Sequence, residues 1–530
     1  MPARIVTFMT ILPTVPETLA RTARKYPDRE AIVYPRKDVR WTYAEFDDRA
    51  SRFASALGEL GVEPGDTVSA FMHNSAEFAV AVYGISRAGA ILNPVNYRLA
   101  TGELAYILED AGSKVLLFEE ATRETIADAT AVRESLSHLV YVDDDRRESP
   151  PWAVGFHALL DGAETVDPAV DVDPADPWML VYTSGTTGRP KGVVHTHENA
   201  TYHNLLYNGQ KKLDYRVVGV AVMPMYHVAE LNCGLLPRVN YGGKSVVTHS
   251  FDPERVLELV DAEDVTYLFV ASRTWGELLD AAGSIDFDGR SLELGVYGAA
   301  PMPPSLLEQC IETFTDSWAT AYGMTEMGPN ATFLLPFEVT EKLGSVGRPG
   351  PNHEVRIVEA TETEDPDDPV MPEDTVETGE TGEIILRGPS MLDEYWNLPD
   401  ATDRAVRDGW FFTGDAGYLD ADGYLYLVDR IDDMIISGGE NIYPTEVENV
   451  LYQHDVVREV AVVGEEDAAY GERVVAYVVP GDEVSEADLD AFCRDSPDLA
   501  DFKRPRAYYL VDELPKNPSG KVQKYKLREE

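Results

Sequence analysis

Short apolar runs recur along the chain, separated by stretches whose apolar residues repeat at helical spacing. Ala31-Ile32-Val33-Tyr34, Val68 to Met72, Ala90 to Asn93 and Val115 to Phe118 each read as a buried strand. Thr42-Tyr43-Ala44-Glu45 is a capping box, so a helix should open there and run to about Leu60. The alternation predicts an α/β region over residues 1 to about 170. It continues over 171–335, with strands expected at Met179–Tyr182, Val217–Met223, Ser245–Val247, Tyr267–Val270, Leu294–Tyr297 and Trp318–Tyr322. Asp252 followed by Pro253 marks a helix start. Over 336–430 the texture changes. Val355–Ile357, Glu383–Leu386 and Tyr424–Val428 read as strands with little helix between, and Asp422-Gly423 is a hairpin signal. A small β-barrel-like unit fits, carrying an acidic solvated loop from Glu359 to Glu380. From 434 to 530 helix and strand return. Pro444–Tyr452 and Glu486–Arg494 should be helical, and Val460–Val463 and Val474–Val479 should be strands, an α+β pattern.

One stretch stands out chemically. Trp178-Met179-Leu180-Val181 leads into Tyr182-Thr183-Ser184-Gly185-Thr186-Thr187-Gly188-Arg189-Pro190-Lys191-Gly192. Glycines let the backbone approach a ligand closely, hydroxyls and amides supply donors, and Lys191 adds a cation. Strand, glycine-and-hydroxyl loop, then lysine is the chemistry of a phosphate cradle. A plain surface loop is the competing reading. The P-loop of kinases and ATPases is a third, but its Gly-x-x-x-x-Gly-Lys-Ser/Thr spacing is not met here.

Charge and cysteine content narrow the class. The chain has 530 residues, which predicts more than one domain, and its formal net charge is −48, with 93 acidic residues against 45 basic ones. Self-repulsion of that size is relieved when molar salt shortens the Debye length to about 3 Å. The composition therefore reads as adapted to a high-salt cytosol, and it argues against nucleic acid or an anionic membrane as partner. Cys233, Cys310 and Cys493 are far apart and odd in number, so a disulfide framework and a CxxC metal site are both unexpected. The segment from Arg4 and Ile5 to Leu12 lacks a signal-peptide pattern, and no apolar run reaches about 18 residues. A cytoplasmic protein without a transmembrane segment is expected. Its oligomeric state is unreadable. In a lysine-poor chain, the basic tail from Lys503 to Arg528 suggests cations that meet an anion.

Further stretches carry chemistry: Tyr322-Gly323-Met324-Thr325-Glu326; Gly409-Trp410-Phe411-Phe412-Thr413-Gly414-Asp415; Ser437-Gly438-Gly439-Glu440-Asn441; and Pro515-Lys516-Asn517-Pro518-Ser519-Gly520-Lys521. Each alone is weak. Together with the phosphate loop, in this order and spacing, they closely resemble the AMP-forming acyl-CoA synthetases. That superfamily also holds peptide-synthetase adenylation domains and beetle luciferases. The resemblance spans nearly the whole chain.

It implies a large N-terminal domain over 1–430, a hinge at 431–433 and a small mobile C-terminal domain over 434–530. It implies that Thr183, Ser184, Gly185, Thr186, Thr187, Gly188 and Lys191 hold the β- and γ-phosphates of ATP. Tyr322 matches the residue stacked on adenine, with Gly298, Ala299 and Ala300 along the other side and Gly323 beside it. Thr325 matches a phosphate contact and Glu326 a magnesium ligand. Asp415 and Arg430 match the ribose pair, Asp432 the hinge residue, and Gly438 and Gly439 the loop lining the route of CoA. Lys521 matches the lysine that bridges the substrate carboxylate and the α-phosphate, and His227 an acyl-site histidine. Val228, Leu231, Val296, Met324, Met327 and Gly328 fall where the family lines its acyl pocket. Glu230 stands where relatives often carry glycine, which bears on that pocket's shape and polarity. No tryptophan narrows these segments, as one does in acetate enzymes, which favours a medium-to-long fatty acid or an aryl acid.

The activity implied joins a carboxylic acid, ATP and CoA into acyl-CoA, AMP and pyrophosphate. Loading of a carrier-protein phosphopantetheine is the alternative within the superfamily. An ADP-forming phosphotransferase or nucleotide-binding regulator is the alternative of another class. His195-Thr196-His197 reads as a helix entry after the loop rather than a metal pair. Asp420 and Asp422 read as hairpin residues rather than a calcium site.

Overall fold

The apolar runs pair into sheets whose strands do not keep the order of the chain. The molecule is described by a computed structural model over residues 12–142, 148–165, 170–183, 189–298, 300, 302–360, 369–437, 440–467, 470–496, 499–516 and 522–528. By packing, the chain divides into two units: residues up to Glu354 with Arg387–Arg404, and Val355–Leu386 with Ala405 onward.

The first unit holds a seven-stranded sheet. Its order is Val154–Gly155, His138–Val142, Ser113–Glu119, Thr67–Phe71, Ile91–Pro94, Pro177–Thr183 and Lys191–Thr196. Its neighbours are parallel except the last pair. A second sheet in the same unit runs Val39–Thr42, Glu30–Tyr34, Lys244–Val247, Val218–Ala221, Tyr267–Ala271, Leu294–Gly298, Trp318–Tyr322, Thr332–Leu334 and Ser345–Pro349. It is parallel through its middle and antiparallel at both ends. Thr67–Phe71 and Leu294–Gly298 are buried along their whole length. Helices cover both faces of such strands, so they read as continuous apolar runs rather than as alternation.

Local signals set the helices. Thr42 Oγ1 accepts from the Glu45 amide at 3.3 Å, and a Glu45 carboxylate oxygen accepts from the Thr42 amide at 2.8 Å, opening Tyr43–Glu59. That helix buries Phe46, Ala50, Phe53, Ala54 and Leu57. A Cβ at Gly84 would stand 2.7 Å from the Phe53 ring, so glycine allows the helix Ala76–Arg87 to pack closely against it. Asp252 caps Pro253–Ala262, accepting from the Arg255 amide at 3.0 Å.

In the second unit residues 382–386 of the strand Gly382–Arg387 pair antiparallel with Trp410–Leu419, which pairs antiparallel with Leu425–Arg430. Asp420 Oδ1 accepts from the amides of Asp422 and Tyr424, and Gly423 takes φ +80°, so these residues form the hairpin turn expected of them. A further sheet runs Glu440–Ile442, Ile435–Ser437, Gly471–Pro480 and Val457–Asp467, with Ala507–Leu510 parallel to Gly471–Pro480. Pro444–Leu451 and Glu486–Asp495 pack against this sheet and share a core with it, built on Val447, Leu451, Val462, Ala476, Leu489 and Tyr508.

The sheets do not divide at residue 170, because Pro177–Thr183 joins the earlier strands while Glu30–Tyr34 lies parallel to Lys244–Val247. This follows from strand pairing between segments far apart in sequence, which periodicity does not encode.

Candidate active site

The expected phosphate loop joins two antiparallel strands. Pro177–Thr183 enters it and Lys191–Thr196 leaves it, with Thr183 paired to Lys191. His195 therefore lies on a strand, and the helix begins only at His197. Thr196 caps that helix, so His195-Thr196-His197 is the helix entry expected, reached through a strand that the β-branched Val193 and Val194 favour. Ser184, Gly185, Thr186, Thr187 and Gly188 lie outside the described residues, as do Ala299, Gly438, Gly439 and Lys521. So do Arg4 to Ile11, residues 361–368 of the acidic loop and residues 517–520 of the turn before Lys521.

A segment that sequence reasoning passed over fastens this strand to the Tyr322–Gly328 stretch. The Val194 amide donates to the Glu394 carbonyl at 3.0 Å, the Asp393 amide to the Val194 carbonyl at 3.0 Å, and the Trp396 amide to the Gly192 carbonyl at 2.8 Å. A Cβ at Gly192 would lie 2.7 Å from Leu180 and 3.2 Å from Trp396, so the close approach requires glycine. On the other side, the Leu392 amide donates to the Glu326 carbonyl at 2.7 Å and Ser390 Oγ to the Met327 carbonyl at 2.9 Å. His195 Nε2 donates to the Thr325 carbonyl at 2.7 Å. Burial holds the His195 imidazole neutral, with its pKa lowered to about 4.

Tyr395 is the centre of this arrangement. Lys191 Nζ stands 4.2 Å from its ring centroid, a cation–π contact. The Tyr395 hydroxyl donates to Glu326 Oε1 at 2.9 Å. The loop's lysine and the expected metal-binding carboxylate are thus held on one aromatic side chain, itself 3% exposed.

Tyr322 ends the strand Trp318–Tyr322 and is buried, and Thr325–Met327 forms a single 3-10 turn after it. Gly323 has no room for a side chain, since a Cβ there would meet the Pro329 carbonyl oxygen at 2.2 Å. Gly298 ends the neighbouring strand, and the Ala300 carbonyl accepts from Ser272 Oγ at 2.9 Å. These residues lie at the carboxyl ends of parallel strands, where open α/β sheets place their ligands.

His227 is exposed, and its Nδ1 accepts from the Ala229 amide at 3.1 Å. Val228 and Leu231 follow it into one core cluster and Val296 lies in another; Met327 and Gly328 are buried and Met324 half-buried. Asn232 Nδ2 donates to the Gly328 carbonyl at 3.0 Å, which joins this helical segment to the Tyr322–Gly328 stretch. Glu230 is fully buried, and Arg238 Nη2 donates to its Oε1 at 2.6 Å. A Cβ at Gly234 would come within 2.2 Å of that oxygen, and one at Gly219 within 2.8 Å of Arg238 Nη1. Two glycines thus make room for the pair. Burial raises the Glu230 pKa to about 7, against the opposing effect of Arg238.

In the second unit, Arg430 Nη1 donates to Asp415 Oδ1 at 2.5 Å and to the Thr413 carbonyl at 3.0 Å. Gly414 takes φ +67°, and a Cβ there would lie 2.9 Å from Arg430 Nη2, so glycine keeps the arginine beside the carboxylate. Asp432 sits in a 3-10 turn, Ile431–Asp433, whose Asp432 carbonyl accepts from Arg528 Nη1 at 3.1 Å. Arg528 also pairs with Asp433 at 3.1 Å, so one cation of the basic tail meets carboxylate and carbonyl of this turn.

Comparison with known proteins decides the family. The AMP-binding enzyme model matches residues 19–396, and the model of the AMP-binding enzyme C-terminal domain matches residues 446–521. The chain belongs to the AMP-binding enzyme family. Among its relatives, a long-chain-fatty-acid–CoA ligase of Mycobacterium tuberculosis, FadD13, is 36% identical over 97% of each chain. A feruloyl-CoA synthase of Amycolatopsis is 36% identical over 96% of this chain and 97% of its own. The o-succinylbenzoate–CoA synthetase of Bacillus subtilis, solved with its acyl-adenylate intermediate, superposes with a TM-score of 0.82. It is 32% identical, with 96% of this chain and 97% of that one covered. These relatives are acyl-CoA ligases for fatty or aryl acids, and the mixed α/β fold is theirs. Among the described residues, no helix is long and apolar enough to cross a membrane.

Proposed function

We propose that this AMP-binding enzyme is an ATP-dependent carboxylic acid–CoA ligase that forms an acyl-adenylate and then an acyl-CoA thioester. The observation that carries the reading is the convergence of Lys191 and Glu326 on Tyr395 beside the end of the phosphate loop. A medium-to-long fatty acid or an aryl acid is the proposed substrate, in keeping with the names of the relatives. The acidic composition supports a halophilic origin, and a cytoplasmic location fits the same reading.

Attack of a carboxylate on ATP brings two anions together, so the site must offset their repulsion. Lys191, with the loop residues Thr183 to Gly188, is proposed to bind the outer phosphates. Tyr322 is proposed to stack on adenine between Gly298 to Ala300 and Gly323, and Asp415 with Arg430 to bind the ribose hydroxyls. Thr325 would donate to a phosphate oxygen. The Glu326 carboxylate, 9% exposed and oriented by Tyr395, is an oxygen donor suited to a hard divalent ion, so the residues fit magnesium. Bound there with ATP, magnesium would supply neutralisation of the triphosphate charge. His227, Val228, Leu231, Val296, Met324, Met327 and Gly328 are the proposed acyl wall. Gly438 and Gly439 would lie along the route of CoA.

Lys521 is the proposed bridge between carboxylate and α-phosphate, and Asp432 the hinge between the two half-reactions. The test assays the steps separately: from acid plus ATP, and from synthetic acyl-adenylate plus CoA. Lys521→Ala should lower adenylate formation by about 10²-fold and largely spare thioester formation. Asp432→Pro should do the reverse, because proline fixes φ at the hinge. Equal loss in both steps for both variants would contradict the assignment.

A further inference from the structure

Away from these residues, three side chains able to ligate a metal converge from both sheets of the first unit. His73 follows the strand Thr67–Phe71, Glu119 ends Ser113–Glu119, and His249 follows Lys244–Val247. The first two strands belong to the seven-stranded sheet and the third to the other one. One nitrogen of each imidazole and a carboxylate oxygen of Glu119 all lie within 4.8 Å of one another.

The ligand atoms are close enough for one ion to gather them. Zinc binds imidazole nitrogen and carboxylate oxygen at about 2.0–2.2 Å, which sets ligand atoms roughly 3.3 Å apart along a tetrahedral edge. His249 Nε2 lies 3.3 Å from Glu119 Oε2. His73 Nδ1 closes directly on Glu119 Oε1, a contact that a small rotation of either side chain would open to the same spacing. The His73 and His249 rings are stacked, with centroids 4.4 Å apart and planes 13° from parallel, and each meets one oxygen of the same carboxylate; binding one ion requires one ring to turn about its χ angles so that both nitrogens aim at it. Two imidazoles and one carboxylate suit zinc and its neighbours in the transition series, rather than magnesium or calcium.

The surroundings point the same way. Glu119 is 3% exposed, and among the described residues its carboxylate meets no lysine or arginine. A buried carboxylate requires compensating charge, and a divalent cation held by the two imidazoles would supply it. The ligands are held from behind. The His73 amide donates to Glu119 Oε1 at 2.9 Å, the Glu119 amide donates to Thr122 Oγ1 at 3.2 Å, and Tyr97 stacks on His73 at 3.6 Å. Supports of this kind fix the orientation of ligands in metal sites. Asn74, next to His73, accepts from the Met225 amide at 2.7 Å and donates to the Met223 carbonyl at 2.9 Å. The cluster is thereby fastened to the segment that ends in His227.

We propose that His73, Glu119 and His249 bind one divalent transition ion, zinc by chemistry. The ion would tie the carboxyl ends of Thr67–Phe71 and Ser113–Glu119 to that of Lys244–Val247, and so brace the segment leading to His227. The role is structural, with a coordination position left for water.

The test uses the full-length protein, stripped with a chelator and titrated with Co²⁺. Molar KCl and excess Mg²⁺ are present to occupy the acidic surface. The expected result is one equivalent of Co²⁺ bound with the visible absorption of an imidazole-ligated ion, displaced by one equivalent of Zn²⁺, and a thermal midpoint raised by either metal. His249→Gln and Glu119→Gln, checked for folding by circular dichroism, should each abolish the visible band and weaken binding by at least about 10-fold. The wild-type titration needs no variant. Absence of a stoichiometric visible band in the wild-type protein, or its persistence in either variant, would overturn the proposal. The cluster would then be a metal-free histidine–glutamate hydrogen-bond network.

Discussion

Tyr395 donates its hydroxyl to Glu326 at 2.9 Å across 69 residues of sequence, and the same ring carries Lys191 at 4.2 Å. A carboxylate proposed to serve a metal and a lysine proposed to serve phosphate are therefore oriented by one residue. Tyr395→Phe keeps the ring and the cation contact and removes only the hydrogen bond. Turnover should fall by about 10-fold, with a weaker dependence on added magnesium, while KM for the acid stays within about twofold. Steady-state kinetics over a magnesium series checks this. Unchanged turnover and magnesium response would show that Glu326 is oriented without Tyr395.

The Glu230–Arg238 pair gives a stability prediction. Both side chains are 1% exposed, so Glu230→Ala leaves a guanidinium buried without its partner. The cost should be about 3–5 kcal/mol in denaturant unfolding. Replacing both, as Glu230→Leu with Arg238→Met, should recover most of it. The acid preference of the singly substituted enzyme should be unchanged, because Glu230 is turned into the pair.

Three buried histidines predict the acid limb of stability. Burial lowers the pKa of His195 to about 4, and that of His197 and His203 to about 3, from an ordinary 6.5. Between those values the unfolded chain binds protons that the folded chain refuses, so stability rises with pH there. The contribution is fully present above about 6.5 and is lost as the pH falls toward 4, at up to about 1.4 kcal/mol per pH unit for each histidine. His195→Gln should flatten the slope by one such share. Urea unfolding from pH 7 to pH 5 measures it, and an identical slope in the variant would refute the assignment.

The legible part of the molecule was the part whose signals are local. The capping box at Thr42 and Glu45, the proline-led helix after Asp252 and the buried runs Thr67–Phe71 and Trp318–Tyr322 appear within a residue or two of their expected places. Tyr395 was invisible because its partners lie 69 residues away at Glu326 and on the other sheet at Lys191, and residues 388–398 have neither helical nor strand periodicity. Glu230 read as a change to a pocket, since nothing in its neighbourhood announces that Arg238 eight residues further on would pair with it and that Gly219 and Gly234 would leave the space. His73, Glu119 and His249 likewise come together only when two sheets pack.

The acidic surface predicts a steep response to salt. With a formal net charge of −48, the thermal midpoint should rise strongly between low and molar KCl as screening shortens the Debye length to about 3 Å. A flat profile would remove the case for adaptation to high salt.

Oxygen transfer from the acid to AMP distinguishes an acyl-adenylate from every other route to the thioester. A fatty or aryl acid labelled with ¹⁸O in its carboxylate is incubated with the enzyme, ATP, magnesium and CoA, and the nucleotide product is weighed by mass spectrometry. Attack of the carboxylate on the α-phosphate, followed by thiol attack on the acyl carbon, leaves one labelled oxygen in AMP and releases pyrophosphate. AMP carrying one ¹⁸O should form in step with acyl-CoA. Unlabelled AMP, or ADP with labelled phosphate, would contradict it.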